Sequence, residues 1–430
     1  MTTSVVVDID KVTTNLTELK TLLEIQDDDI CIFNRPERGL YSTKKISKGD
    51  IVIKVKRQYL LEYNYICRLY ADHPSFENFQ TDFVDKLLEV NSLVAYYLYK
   101  LKHKHIDSDV FQDATLSTVD DSMETVAVVD PCSCCCAGDD HRRKLWLSYI
   151  DNLPGVSEYI NYWPEDDAQL INDGTTIGYL YNDFHRRLQQ DAFLIYSYFH
   201  VDRTISFDTF YDGYLPLRLL VGSRIFGYIC EGVPQSGIVP YVDMTNHALK
   251  HNTRWHFSDE IDCFVLQATC DISENSEILE YYGHHSNSDL LLYYGFTIKS
   301  NPHVKIIIDM ASSSHTSTNR SLSSSLTGNS SNNTTSVFMA NSCIMSNHSD
   351  YDCSSSICSS RIEINHDTTA AELQLMHRSN YSAIYTALLR LYNKRLVDVS
   401  RLKIQSNTNI MNIYRDEIRL LAHILDLDYN

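Results

Sequence analysis

The chain lacks any apolar run long enough to cross a bilayer, which sets a spanning helix aside. Its opening stretch, MTTSVVVDIDKVTTNLTELK, lacks a basic segment followed by an apolar core, so no secretory signal is read there. The expected address is therefore the cytosol, the nucleus or both, with no membrane partner. An excess of positive charge is missing too: 56 acidic residues against 37 basic ones give a formal net charge of -19. Such a field repels phosphate backbones, so nucleic acid is not expected as a partner, whereas a cationic protein or peptide would be attracted. No internal repeat is present. The 12 cysteines, without a secretion signal, are expected to be reduced thiols. Four of them crowd together at Cys132, Cys134, Cys135 and Cys136. No second Cys or His pair lies at ligand spacing nearby, and adjacent cysteines cannot easily surround one ion, so no metal site is expected.

What is present is ample apolar material. With 430 residues, 43% of them hydrophobic, the chain can bury a large core, and its length suggests two or three domains. Two segments break the globular texture. Residues 105–140 are acidic and carry the Cys cluster, which reads as a flexible insertion. Residues 311–368 include SLSSSLTGNSSNNTTS, which cannot bury enough apolar surface to offset its ordering entropy, so a disordered loop is expected.

Between these segments the texture alternates. Residues 1–29 read as a helical or flexible lead-in. Residues 30–84 hold short β-branched runs such as IVIKV, broken by Gly39 and Gly49, and read as strands and tight turns. Residues 85–216 are helical and aromatic. Val94, Tyr97, Leu98 and Leu101 recur there at helical spacing and read as core. Residues 217–310 return to short strands. Residues 369–430 are helical again, with Ile410, Ile413, Leu421 and Ile424 near a 3.6-residue period. The order predicts an α+β fold in which two strand-rich blocks form one domain interrupted by a helical insert and followed by a short helical domain.

The string VPYVDMTNH, Val239–His247, raises the chemical question. Asp243, Asn246 and His247 together could serve metal binding, acid/base chemistry or a backbone knot that grips a ligand. A metal needs three or more converging ligands, and His251 and His256 have no carboxylate or thiol arranged around them. Arg224 sits in an apolar run, LLVGSRIFGYI, and must find an anion. A ligand carboxylate would suit its fork, and an internal salt bridge to Asp243 is the alternative.

Four strings stand in order: RGLYSTKKISKGDIVIKV (Arg38–Val55), SRIF (Ser223–Phe226), VPYVDMTNH and EILEYYGHHSNSDLLLYYGF (Glu277–Phe296). Together they resemble the SET-domain protein methyltransferases. The nearer likeness is to the subgroup with the Rubisco large-subunit lysine methyltransferase and the actin-histidine methyltransferase. LWLSYIDNLPGVSEYINYWPEDDAQLI (Leu145–Ile171) is similar to that subgroup's helical insert, and NIYRDEIRLLAHIL to its helical tail. The resemblance implies a SET β-fold with a knot-like C-terminal segment and S-adenosyl-L-methionine as cofactor. It implies that Arg38, Gly39, Leu40, Arg224, Asp243, Asn246, His247 and Tyr282 hold that cofactor, and that Tyr282 is the catalytic tyrosine. Phe226, Ser286 and Tyr294 would bind the acceptor, and Tyr281 would pack. Two departures from the pattern stand out: Glu37 replaces a usual Gly, and Asn275-Ser276 replaces a usual Gly-Glu turn. Asn tolerates the left-handed conformation, so that turn can survive.

The implied activity is methyl transfer to a lysine of a protein, most simply a non-histone protein, since no Cys-rich zinc element follows Phe296. The acceptor would lie in a groove between the SET core and the helical tail, which is shorter than the subgroup leads one to expect. The chain would act as a monomer. Phe226 stands where the histidine-modifying member has Asn, which favours lysine over histidine. The alternatives are histidine methylation, an inactive SET interaction module, and a metal-dependent protein using the Cys cluster and the His-rich 247–256 stretch.

Overall fold

The computed structural model describes residues 9–25, 30–34, 38–71, 73, 75–82, 86–110, 140–164, 171, 176–199, 205–309, 361–365, 367–372, 381–405 and 408–427. Glu37, the Cys132–Cys136 cluster and most of both low-complexity segments lie outside these residues. The described residues fall into two compact units. One draws on Met1–Val156 and Arg187–Gly283; the other draws on Ser157–Arg186, His284–Asn341 and His348–Asn430.

In the first unit, strand formation follows the β-branched runs. IVIKVK forms β3 (Ile51–Lys56), with Val52, Ile53 and Val55 buried. Two consecutive residues face inward because the pairing register shifts between Ile51 and Ile53, a bulge that turns the strand. Strand β3 pairs antiparallel with β9 (Cys263–Ala268), which pairs with β8 (Thr253–Ser258). A second three-stranded sheet runs β4 (Leu61–Glu62), β6 (Val233–Ile238), β5 (Ile225–Cys230). Strands β1 (Ile30–Asn34) and β2 (Arg38–Ser42) form a separate antiparallel pair. Two very short strands, β7 (Asn246–His247) and β10 (Leu279–Glu280), run parallel to each other. This small parallel pair organises the candidate site.

This unit also holds α1 (Ile9–Leu22), α2 (Tyr63–Tyr70), α3 (Phe76–Asp82), α4 (Lys86–Val110), α5 (Asp140–Asp151), the part of α6 (Thr176–Phe199) from Arg187 onward, and α7 (Phe207–Gly222). The stripe Val94, Tyr97, Leu98 and Leu101 on α4 is buried as expected. The burial goes further, because every residue from Val90 to Tyr99 is covered, so this stretch of the helix is enclosed on all sides. The aromatic content is concentrated here: the Phe199 ring meets Phe79 at 4.7 Å, Tyr70 at 5.1 Å and Tyr96 at 5.4 Å. A buried ion pair, Arg218 to Asp191 at 3.2 Å, fixes α7, with Ser92 accepting from Arg218 Nε.

The second unit contains α8 (Asn287–Tyr294), β11 (Lys305–Asp309), β12 (Arg361–Asn365), α9 (Tyr381–Gln405) and α10 (Thr408–Leu425). Ile410, Ile413, Leu421 and Ile424 of α10 are all buried, as their period requires. Ile306, Ile308 and Ile364 of the β11–β12 pair share a core with Leu388 and Leu421.

Three boundaries differ from the sequence reading. Helix α7 continues to Gly222, past the point at Leu217 where strands were expected, because LPLRLLVG keeps its apolar spacing. Helix α4 extends through 105–110, the start of the expected flexible insertion. Residues 361–365, placed in the Ser-rich loop, form β12, whose alternating Ile362 and Ile364 pair with β11. Among the described residues no helix is long and apolar enough to cross a membrane.

Candidate active site

The stretch VPYVDMTNH enters the site through a backbone contortion. Tyr241 adopts φ 74°, an uncommon conformation for a bulky residue, and is 1% exposed. A single 3-10 turn, Val242–Met244, follows, and Asn246–His247 then forms β7. Opposite it lies EILEYYG. Leu279 pairs with Asn246, Glu280 with His247, and Ala248 N donates to Glu280 O at 2.9 Å.

Asn252 locks the crossing. Its Nδ2 donates to Glu277 O at 2.8 Å, and its Oδ1 accepts from Leu279 N at 2.8 Å. Thr253 Oγ1 donates to Leu279 O at 2.8 Å. Two segments distant in sequence are thereby tied together with their backbone groups satisfied.

The N-terminal turn is recruited to the same place. Ile278 N donates to Leu40 O at 2.8 Å, and Asn246 Nδ2 donates both to Arg38 O at 2.9 Å and to Glu277 Oε1 at 2.8 Å. Gly39 lies directly beneath these groups. A Cβ there would sit 2.5 Å from Glu277 Oε1 and 2.7 Å from Asn246 Nδ2, so a side chain would have to push those two groups aside. The Asn275 turn that supports this region has φ 61°, the left-handed conformation expected of Asn in place of Gly.

Tyr282 is anchored at both ends. Its hydroxyl donates to Thr245 O at 2.7 Å, and its backbone N donates to His247 Nδ1 at 3.1 Å. The rings of His247 and Tyr282 lie 5.2 Å apart. Tyr281 packs between His247 and His251, each 5.5 Å away.

A charged cluster lies at the base. Tyr149 OH donates to Asp243 Oδ2 at 2.6 Å, while Arg224 Nη1 donates to Asp243 O at 2.7 Å and to Oδ2 at 3.1 Å. The internal salt bridge raised as the alternative for Arg224 is therefore formed. Burial pushes the Asp243 carboxyl above the usual carboxylate range in spite of Arg224. Burial and the neighbouring Asp243 push the Tyr149 hydroxyl well up. Arg38 joins this cluster. Its Nη2 donates to Asn152 O, its Nε is buried without a partner, and burial beside Arg224 lowers it to about 10. Two guanidiniums thus face a single carboxylate.

The residues assigned to the acceptor from sequence have these surroundings. Phe226 is buried, packed edge-on against Trp255 at 5.7 Å and Phe264 at 5.3 Å. Ser286 caps α8: its Oγ accepts from Asp289 N at 3.2 Å, and Asp289 Oδ2 accepts from Ser286 N at 3.2 Å and from Ser286 Oγ at 2.7 Å. That hydroxyl is committed to a capping box, a role that the Ser-x-x-Asp spacing signals. Tyr294, on α8 in the second unit, meets His285 at 5.7 Å and Phe296 at 6.2 Å. Among the described residues, no three His, Cys, Asp or Glu are placed to hold a metal ion.

Sequence reasoning missed Tyr149, Thr245, Asn252, Glu277 and Glu280. Only Glu277 carried a signal, as the acidic residue two before Leu279 in a turn-then-strand pattern. The others act through long-range contacts.

The family model described as the SET domain matches residues 37–283. The chain belongs to the SET-domain family. The match spans the Arg38 turn, the Asn246–His247 crossing and Tyr282. Solved structures share this fold. The SET domain of LSMT bound to lysine and AdoHcy aligns with a TM-score of 0.56 and 10% identity, covering 97% of this chain and 91% of that one. Rubisco LSMT bound to sinefungin and monomethyllysine gives 0.54 and 11%, covering 97% and 94%. Rubisco LSMT bound to AdoMet gives 0.54 and 10%, covering 96% and 91%. A search of curated protein sequences returns no match.

Proposed function

We propose that this SET protein is an S-adenosyl-L-methionine-dependent protein-lysine methyltransferase acting on a non-histone protein. The observation that carries it is the meeting of the Arg38–Leu40 turn, the Asn246–His247 crossing and Tyr282 in one knot. The solved LSMT structures with lysine and AdoMet or AdoHcy support both cofactor and acceptor class.

The residues present fit that cofactor. Arg38 and Arg224 share one carboxylate between them, leaving a positive site with a buried unpartnered Arg38 Nε for the cofactor's carboxylate group. Gly39 offers bare backbone where a side chain would intrude. Asn246 and His247 supply peptide groups along the short parallel pair.

When bound, the cofactor supplies an electrophilic methyl group on a sulfonium. Its acceptor must be a neutral amine, and deprotonating a free lysine at pH 7 costs roughly 4 to 5 kcal/mol. Desolvation of the ammonium and a nearby positive charge lower that cost. Tyr282, pinned by Thr245 O and His247, presents a fixed hydroxyl dipole that orients the acceptor. No dedicated carboxylate base is required, because the proton can leave to solvent. Phe226 in place of Asn favours lysine over histidine.

The test is tritium transfer from labelled cofactor to cell extract, with Tyr282→Phe as control and mass spectrometry locating the modified residue. Label on a lysine that vanishes with the variant supports the reading. Cofactor binding without label on any protein would favour an interaction module.

A further inference from the structure

Tyr149 is a buried polar group in this site that the methyl-transfer scheme does not use. It lies on α5 of the helical insert, is fully buried, and donates to Asp243 Oδ2 at 2.6 Å from 94 residues away. Asn152, just past the end of that helix, meets a charge of the opposite sign: its carbonyl accepts from Arg38 Nη2. The helix end is fixed between the two. Asn152 N donates to Tyr149 O at 3.0 Å, and Asn152 Nδ2 donates to Ser148 O at 2.7 Å. Carbonyls at the end of a helix attract a cation, and Asn152 O serves Arg38 in that way. One turn of the insert thus holds an anion through a hydroxyl and a cation through a carbonyl.

That division decides how much positive charge is left for a ligand. A buried carboxylate beside two guanidiniums draws both of them. Here Oδ2 accepts from Tyr149 OH and from Arg224 Nη1, and among the described residues no hydrogen bond joins Asp243 to Arg38. Arg38 turns to Asn152 O instead, with its Nε buried and unpartnered. Without the Tyr149 hydroxyl, Oδ2 would be left with Arg224 in a fully buried place. Arg38, whose charge already acts on Asp243, is the donor at hand. Its move would give up the bond to Asn152 O and neutralise its charge on Asp243.

We propose that Tyr149 is a positioning residue: by occupying Asp243 Oδ2 it keeps Arg38 off that carboxylate and available to the carboxylate of S-adenosylmethionine. The inference rests on the proposed function, from which it takes its ligand. It gives the helical insert a part in recognising the cofactor.

The experiment is calorimetric titration of the full chain with two compounds, S-adenosylmethionine and its decarboxylated form, which keeps the nucleoside, the sulfonium and the amine. The wild type should prefer the compound with the carboxylate by about 10–100-fold, the effect of a hydrogen bond to a charged group. Tyr149→Phe should cut that preference by about tenfold, with the affinity for the decarboxylated compound changed less than about twofold. A merely structural loss would weaken both compounds alike and leave the preference intact. Arg38→Gln should cut the preference at least as far, and adding Tyr149→Phe to it should change the preference no further. A poorly folded variant at Tyr149 therefore leaves Arg38 to decide. A wild type without the preference, a preference that survives in Tyr149→Phe or in Arg38→Gln, or one that falls further in the double variant overturns the inference and leaves the cofactor reading in place. A folded wild type that binds neither compound sinks both.

Discussion

Asn246 Nδ2 and Glu277 Oε1 close to 2.8 Å directly over the backbone of Gly39. The space they leave is smaller than a methyl group, and both groups also set the crossing of the two short strands. Gly39→Ala should therefore force them apart. Calorimetric titration with S-adenosylmethionine should show at least about tenfold weaker binding, some 1.4 kcal/mol, with a lowered melting temperature. Undiminished affinity would mean that the turn does not face the cofactor.

Tyr282 contributes a hydroxyl whose present partner is a backbone carbonyl 2.7 Å away. Its removal takes away an aligned dipole and leaves the ring packing with His247. Tyr282→Phe should reduce kcat for methyl transfer by about 10²–10³-fold while changing the cofactor's Kd by less than about threefold. Single-turnover rates and calorimetry on the same preparation separate the two quantities.

The Asp243 carboxylate depends on Tyr149 and Arg224, and its Oδ1 has no partner. Tyr149→Phe withdraws one of the donors to Oδ2 in a fully buried place. Unfolding in urea should show a loss of about 1–3 kcal/mol, with the slope of the transition preserved. A variant as stable as the wild type would show that water reaches Asp243 in solution.

Much of the fold was legible because local patterns decided it. The Ile410, Ile413, Leu421 and Ile424 period placed α10, and IVIKV placed β3. The ordered motifs also marked Gly39, Asn246, His247 and Tyr282, which the structure brings together. What stayed hidden depends on distant partners. Nothing around Asn252 announces that its amide will lock Leu279 and Glu277. Nothing around Tyr149 announces Asp243, 94 residues away. The all-round burial of Val90–Tyr99 in α4 and the strand RIEIN beyond a Ser-rich tract are likewise set by tertiary packing, which local pattern does not report. Ser286, assigned to the acceptor, also caps a helix, a role that its spacing from Asp289 spells in the sequence.

Glu280 also makes a prediction about stability. Its carboxyl has an ordinary value of 4.5 and is raised to about 8 in the folded chain. Between these values the folded state binds the proton and the unfolded state has released it. The unfolded state then holds fewer protons, so stability falls as pH rises. The contribution is fully present below 4.5 and lost by about pH 8. Asp416, raised to about 6 by burial, acts in the same direction but is common to both proteins in the comparison. Glu280→Gln does not titrate, so its stability relative to the wild type should increase steadily from pH 5 to pH 8, by up to a few kcal/mol. Denaturant unfolding of both proteins at each pH measures that difference directly. Curves that stay parallel would mean that Glu280 is ionised in the folded chain at neutral pH.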